Sequence, residues 1–136
     1  MSKEKSTREN LNMKKREYKE NLYRLFDLEV DNLDYIGKIN YINKVLLEYQ
    51  KDNEDKRDTS NKGEKWTDEQ LKIILSDAPS VQNCMKYAIL FKRGYGSIEQ
   101  IYRWSTTQNQ DLSERRKEDS FIQQIKRVAK ELGLRG

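Results

Sequence analysis

Apolar side chains recur along this chain with the three-to-four-residue spacing of helices, and no strand-like alternation stands out. The clearest pattern lies between Lys65 and Ser105. Thr67 is followed three residues later by Gln70, the arrangement in which a hydroxyl and an amide satisfy orphan donors of a first helical turn. Trp66 and Leu71 flank that cap as a hydrophobic staple, and Leu71, Ile74, Leu75 and Ala78 continue it as one stripe. Pro79 disfavours the α conformation at Ala78, so the spacing predicts a helix over 67–78. Ser80 then caps a second helix, 80–92, with Val81, Cys84, Met85, Ala88 and Phe91 on one face. Gly94 and Gly96 permit a reversal, and Ser97 with Gln100 forms another capping pair, predicting a third helix over 97–106. Ile98, Ile101, Tyr102 and Ser105 gather on one side of it, and Glu99, Gln100, Arg103, Thr106 and Thr107 on the other.

Upstream, residues 1–10 are polar and expected to be disordered. A helix is expected over 10–28, with Leu11, Lys15, Tyr18, Leu22, Leu25 and Phe26 on one side. The next, 33–50, spaces Tyr35, Ile39, Ile42, Leu46 and Tyr49 by four, three, four and three, a heptad seam. The two read as an antiparallel hairpin that buries too little to stand alone, which makes a homodimer through that seam one expectation and packing on the rest of the chain the other. Lys51 to Lys65 contains no apolar residue, five acids and five bases, and reads as a linker that leaves its flanks free to reorient. The last helix, 113–132, carries Phe121, Ile122, Ile125, Val128, Ala129 and Leu132 on one face, with Gly133 as its stop.

The expected architecture is therefore all-α, in four parts: a hairpin over 1–50, the linker 51–65, a three-helix unit over 66–107 and an amphipathic helix over 111–136. The core of the central unit is expected to hold Trp66, Leu71, Leu75, Met85, Ala88, Phe91, Ile98, Ile101 and Tyr102.

Three helices in about forty residues, with a short turn before a polar-faced third helix, is the plan of a helix-turn-helix domain. At Trp66-Thr67-Asp68-Glu69, at the small Ala88, and at Ser97-Ile98 before Trp104, the chain resembles a Myb/SANT-type repeat, a three-helix bundle with a tryptophan-rich core. A Myb repeat usually has three spaced tryptophans; this stretch has two. The resemblance implies a recognition helix that many members use on double-stranded DNA and that others use to hold a protein partner.

Composition changes this picture in few places. Charged residues are 37% of the chain and mean hydropathy is −1.09, so the core is thin relative to the surface. A net charge of +4, from 27 Lys+Arg against 23 Asp+Glu, tilts only mildly toward a polyanionic partner. The single Cys84 excludes an intrachain disulfide and suggests a cytoplasmic protein, and its apolar setting suggests a packed thiol. With no histidine, Ser-His-Asp triads and Cys-His dyads are excluded, and no glycine-rich phosphate loop follows a strand. Adjacent acids such as Asp68-Glu69 and Glu118-Asp119 read as helix-dipole partners more readily than as Mg²⁺ ligands. No metal, no cofactor, no membrane span and no catalysis are expected.

Two function classes follow. In the first, a small bacterial, plasmid or phage regulator reads the major groove with helix 97–106. Ser97, Gln100, Arg103 and Thr107 would contact bases, and Lys92, Arg93, Tyr95, Arg115 and Arg116 the phosphate backbone. Arg115 to Lys117 also reads as a solvated charge run. In the second class, the bundle and the heptad helix form a protein-interaction module.

Overall fold

The computed structural model describes residues 12–134; Leu11 and the polar stretch 1–10 expected to be disordered lie outside them, as does Arg135. Among the described residues the chain is all-helical, with seven α-helices and no strand. These are α1 (Lys15–Phe26), α2 (Tyr35–Asp52), α3 (Asp68–Leu75), α4 (Val81–Phe91), α5 (Tyr95–Thr106), α6 (Glu114–Lys117) and α7 (Ser120–Glu131). The described residues divide into two compact units, one up to Ile42 and the other from Asn43.

In the first unit, Asp34 opens α2 by accepting the Gly37 amide at 2.7 Å, and Lys38 Nζ donates to the Leu28 carbonyl at 2.9 Å. Neither α1 nor α2 contains a buried residue. The seam positions Tyr35 and Ile39 of this unit are exposed.

The second unit has a continuous core. Leu71, Ile74, Ile98, Ile101, Ile125 and Val128 are almost wholly buried, each contributing roughly 1.5–3 kcal/mol by leaving water. Around them pack Trp66, Leu75, Cys84, Met85, Tyr87, Ala88, Tyr95, Tyr102 and Ala129, with Phe91 only partly buried at the edge. Helix α5 packs on α3, α4 and α7, and α3 also packs on α7. Tyr102 Oη donates to the Ile74 carbonyl at 2.8 Å, tying α5 to the end of α3.

Local signals explain most helix ends. Both bonds of the Thr67–Gln70 box are present, at 3.1 and 3.0 Å, and Ser80 accepts the Asn83 amide at 3.0 Å. Gly133, at φ 79°, closes α7 with the Leu134 amide reaching back to the Ala129 carbonyl at 2.9 Å.

Three expectations need correction. First, α5 begins at Tyr95, with Gly94 as its N-cap, so Ser97 lies inside the helix and caps nothing. The positive φ of the turn falls on Lys92, at 57°, and on neither glycine. Second, the helix expected over 113–132 is two helices. Asp119 accepts the amides of Phe121 and Ile122 at 3.0 Å each, and this cap restarts the chain after the short α6.

Third, residues 54–64 are no free linker but a strap over the α4–α5 turn. Arg57 Nη1 donates to the Arg93 carbonyl at 2.8 Å, and Asn61 donates through its amide to the Lys92 carbonyl and through Nδ2 to the Phe91 carbonyl, both at 3.1 Å. Glu54 accepts the Tyr95 amide at 3.0 Å and Lys62 Nζ at 2.8 Å, and the Lys62 bond leads the influences that lower its carboxyl pKa. A helix end leaves carbonyls without partners, and the next helix start leaves amides. The strap supplies both kinds of partner with charged and amide side chains.

Candidate nucleic-acid interface

The outward side of α5 follows from its inward one. With Ile98, Ile101, Tyr102 and Ser105 turned into the core, the helical period leaves Gly96, Glu99, Gln100 and Arg103 exposed, with Trp104 half-buried at the margin. Arg103 is held at 3.9 Å by Glu99 one turn earlier, an exposed pair that makes this part of the face nearly neutral. Thr107 terminates the helix, its hydroxyl donating to the Arg103 carbonyl at 2.7 Å.

Gln100 and Trp104 do not stand alone. The polar segment after α5 brings α6 back beside it, and the Arg116 guanidinium lies 4.9 Å from the Trp104 ring centroid. Gln100, Trp104, Arg115, Arg116, Asp119 and Phe121 line one open groove of about 400 Å³. Stacking on indole holds a guanidinium in plane while leaving its N–H groups free for an anion. Arg115 and Arg116 are both exposed. Two arginines, an amide and an aromatic face are a combination suited to a phosphate with a planar group beside it.

The other expected contacts separate from this groove. Ser97 is half-buried and lines a different one, with Trp66, Arg93, Phe121, Gln124 and Arg127. Lys92 is exposed but lies 3.6 Å from Asp58 of the strap.

Arg93 and Tyr95 are corrected as phosphate contacts, because both are buried, at 3% and 5% exposure. The Arg93 guanidinium lies 4.0 Å from the Trp66 ring centroid and donates to the Glu64 carbonyl and, at 3.0 Å, to that of Lys65. Burial lowers its pKa. Tyr95 sits in the core with Lys51 Nζ 4.4 Å from its ring centroid, and burial raises its pKa to about 12. Once the turn reverses at Lys92, the next side chains point inward, which a reading of Lys92 to Gly96 as an exposed turn misses.

Sequence reasoning also missed residues that set the site. Trp104 is one, although its place four residues after Gln100, on the same helical side, carried the signal. Lys126 is another: its ammonium donates to the Thr107 carbonyl, fixing the end of α5 to α7, and burial lowers its pKa. No sequence spacing announces that bond. Arg127 grips both oxygens of Asp68 at 2.9 and 3.0 Å, and Gln124 reaches Asp68 and the Trp66 carbonyl, so α7 is clasped to the start of α3. The Arg127 bond leads the interactions that depress the Asp68 pKa to about 2.

Among the described residues no group of three or more His, Cys, Asp or Glu is arranged to hold a metal ion, and no helix is long and apolar enough to cross a membrane.

A family model described as "Uncharacterised protein PM1205 C-terminal domain" matches residues 60–136, which take in α3 through α7. The chain is similar to uncharacterized protein PM1205 of Pasteurella multocida (strain Pm70), 50% identical over 125 residues that span 90% of this chain and 99% of that protein. No solved structure matches it.

Proposed function

The chain belongs to the PM1205 C-terminal domain family, and we propose that it binds double-stranded DNA through α5 and the basic residues of α6. The observation that carries this reading is the convergence of Gln100 with Arg115, Arg116 and Trp104 on one groove beside the outward side of α5. In this reading α4, the Lys92 turn and α5 act as a helix-turn-helix, as the Myb-like features at Trp66 to Trp104 suggest, and α5 lies in the major groove. Gln100 reaches an adenine edge and Arg103, released from Glu99, a guanine edge. Arg115 and Arg116 grip the flanking phosphates, with Lys92 at the turn as a further backbone contact. Ser97, facing the other groove, drops out, and Thr107 sits where the helix ends.

The test is binding to duplex DNA of random sequence across a salt series, followed by selection of a preferred site. Arg115→Ala and Arg116→Ala should each weaken binding to all sequences and reduce the salt slope by about one. Arg103→Ala should cost about 1–3 kcal/mol at one position of the selected site and relax specificity there. If all three variants bind DNA as the unaltered chain does, the reading is wrong. The Glu99–Arg103 pair favours a second reading, a protein-interaction module, because it neutralises the central part of the α5 face.

A further inference from the structure

Helix α2 presents its heptad seam to solvent. Tyr35, Ile39, Leu46 and Tyr49 are 71%, 37%, 55% and 54% exposed, with Ile42 half-buried among them. At 100° per residue these five lie within about a quarter of the helix circumference. Leu47 and Lys51 lie on the far side and are already engaged: Leu47 packs against the buried core of residues 66–129, and Lys51 lies against Tyr95. The seam is thus not the face that α2 turns to the buried core; its polar side-chain contact is at its end, where Lys56 Nζ donates to the Tyr49 hydroxyl at 3.1 Å and leaves the ring exposed.

A seam with period 3.5 is complementary to another helix with the same period. The flanking charges decide which helix, and in which direction. Lys38 and Asp52 occupy the same flanking position of the heptad, two repeats apart on one edge of the seam. If two copies of α2 run antiparallel with Ile42 opposite Leu46, Ile39 falls opposite Tyr49 and each Lys38 falls opposite Asp52 of the second copy. The arrangement closes on itself by a two-fold axis, so both charge pairs form at once. A parallel pairing sets Lys38 against Asn43 and Val45 against Gln50, and forms no ion pair. Lys38 Nζ donates to the Leu28 carbonyl, and an ammonium has two further N–H groups for the carboxylate.

We infer that α2 is the contact of a homodimer in which two copies of the helix pack antiparallel, with Ile39–Tyr49 and Ile42–Leu46 as core layers and two reciprocal Lys38–Asp52 pairs at the rim. This goes beyond the DNA-binding reading and does not depend on it.

Cysteine cross-linking of the full chain tests both the pairing and its direction, without DNA. Ile39→Cys and Tyr49→Cys proteins are oxidised separately and then as a mixture, with the unaltered chain as control for the buried Cys84. Positions 39 and 49 stand about 15 Å apart along one helix, too far for an internal disulfide. The expected result is a covalent dimer formed only in the mixture. Cross-linking by Ile39→Cys alone at equal yield would show parallel pairing and overturn the proposal, as would absence of any cross-link. Sedimentation supplies the second measurement. Lys38→Glu should weaken the dimer at least tenfold, by setting like charges opposite each other twice, and Lys38→Glu/Asp52→Lys should recover it. A chain that stays monomeric at several hundred micromolar, or a double variant no tighter than the single one, would refute the inference. Circular dichroism confirms that each variant retains its helices.

Discussion

The two N-terminal helices and the bundle after Trp66 use the same kind of sequence to different ends. Helices α1 and α2 are as visibly amphipathic as α3, α4, α5 and α7, yet neither of the first two contains a buried residue. The longer helices after Trp66 surround a common centre, where α5 and α7 each pack on three others, so the apolar stripes of α3, α4, α5 and α7 find partners from several directions. An apolar stripe is therefore a demand for a partner, which the chain itself meets only where enough elements converge. The difference marks residues 66–129 as the folding core, against N-terminal helices whose apolar stripes stay largely in water.

Matched substitutions test that division most strongly. Leu75 in α3 is 4% exposed and Leu25 in α1 is 61% exposed. Leu75→Ala should cost about 2–5 kcal/mol in denaturant unfolding of the bundle. Leu25→Ala should stay within about 0.5 kcal/mol. Equal costs would mean that α1 is buried in solution and that the contrast between the units is false.

The strap sharpens the edge of the folded bundle. If residues 54–64 belong to the folded bundle, Arg57→Ala should destabilise it by about 1–3 kcal/mol, since the carbonyl of the buried Arg93 loses its guanidinium partner. Hydrogen exchange at the Asn61 and Tyr95 amides, which bond to the Lys92 carbonyl and to Glu54, should accelerate in the same variant. An unchanged melt and unchanged exchange would return the segment to a linker.

The smallest expected effect lies at the turn between α4 and α5. Lys92 holds a left-handed conformation that favours glycine, and its ion pair with Asp58 is exposed. Lys92→Gly should therefore raise stability, by about 0.5–1 kcal/mol, in thermal or urea unfolding. A loss of stability would mean that the lysine side chain contributes more to holding the strap than the backbone strain costs.

The sequence by itself determined the all-helical class, the Thr67 and Ser80 starts, the Gly133 stop and most of the bundle core, because those features depend on neighbours within a turn or two of the chain. Gln100 and Arg103 on an outward face were legible for the same reason, since a helix fixes direction once its buried side is known. Tertiary structure decided the rest. Arg93 and Arg57 look like surface cations in any local window, yet the carbonyls they bond are 28 to 36 residues away in sequence. The groove of Gln100, Trp104, Arg115 and Arg116 depends on how the chain returns after Thr107, and Lys126 and Arg127 hold α7 by bonds 19 and 59 residues long in sequence. Apolar periodicity records which side of an element leaves water, while directed polar bonds between distant segments leave no periodic trace; they exist only once packing has brought donor and acceptor together.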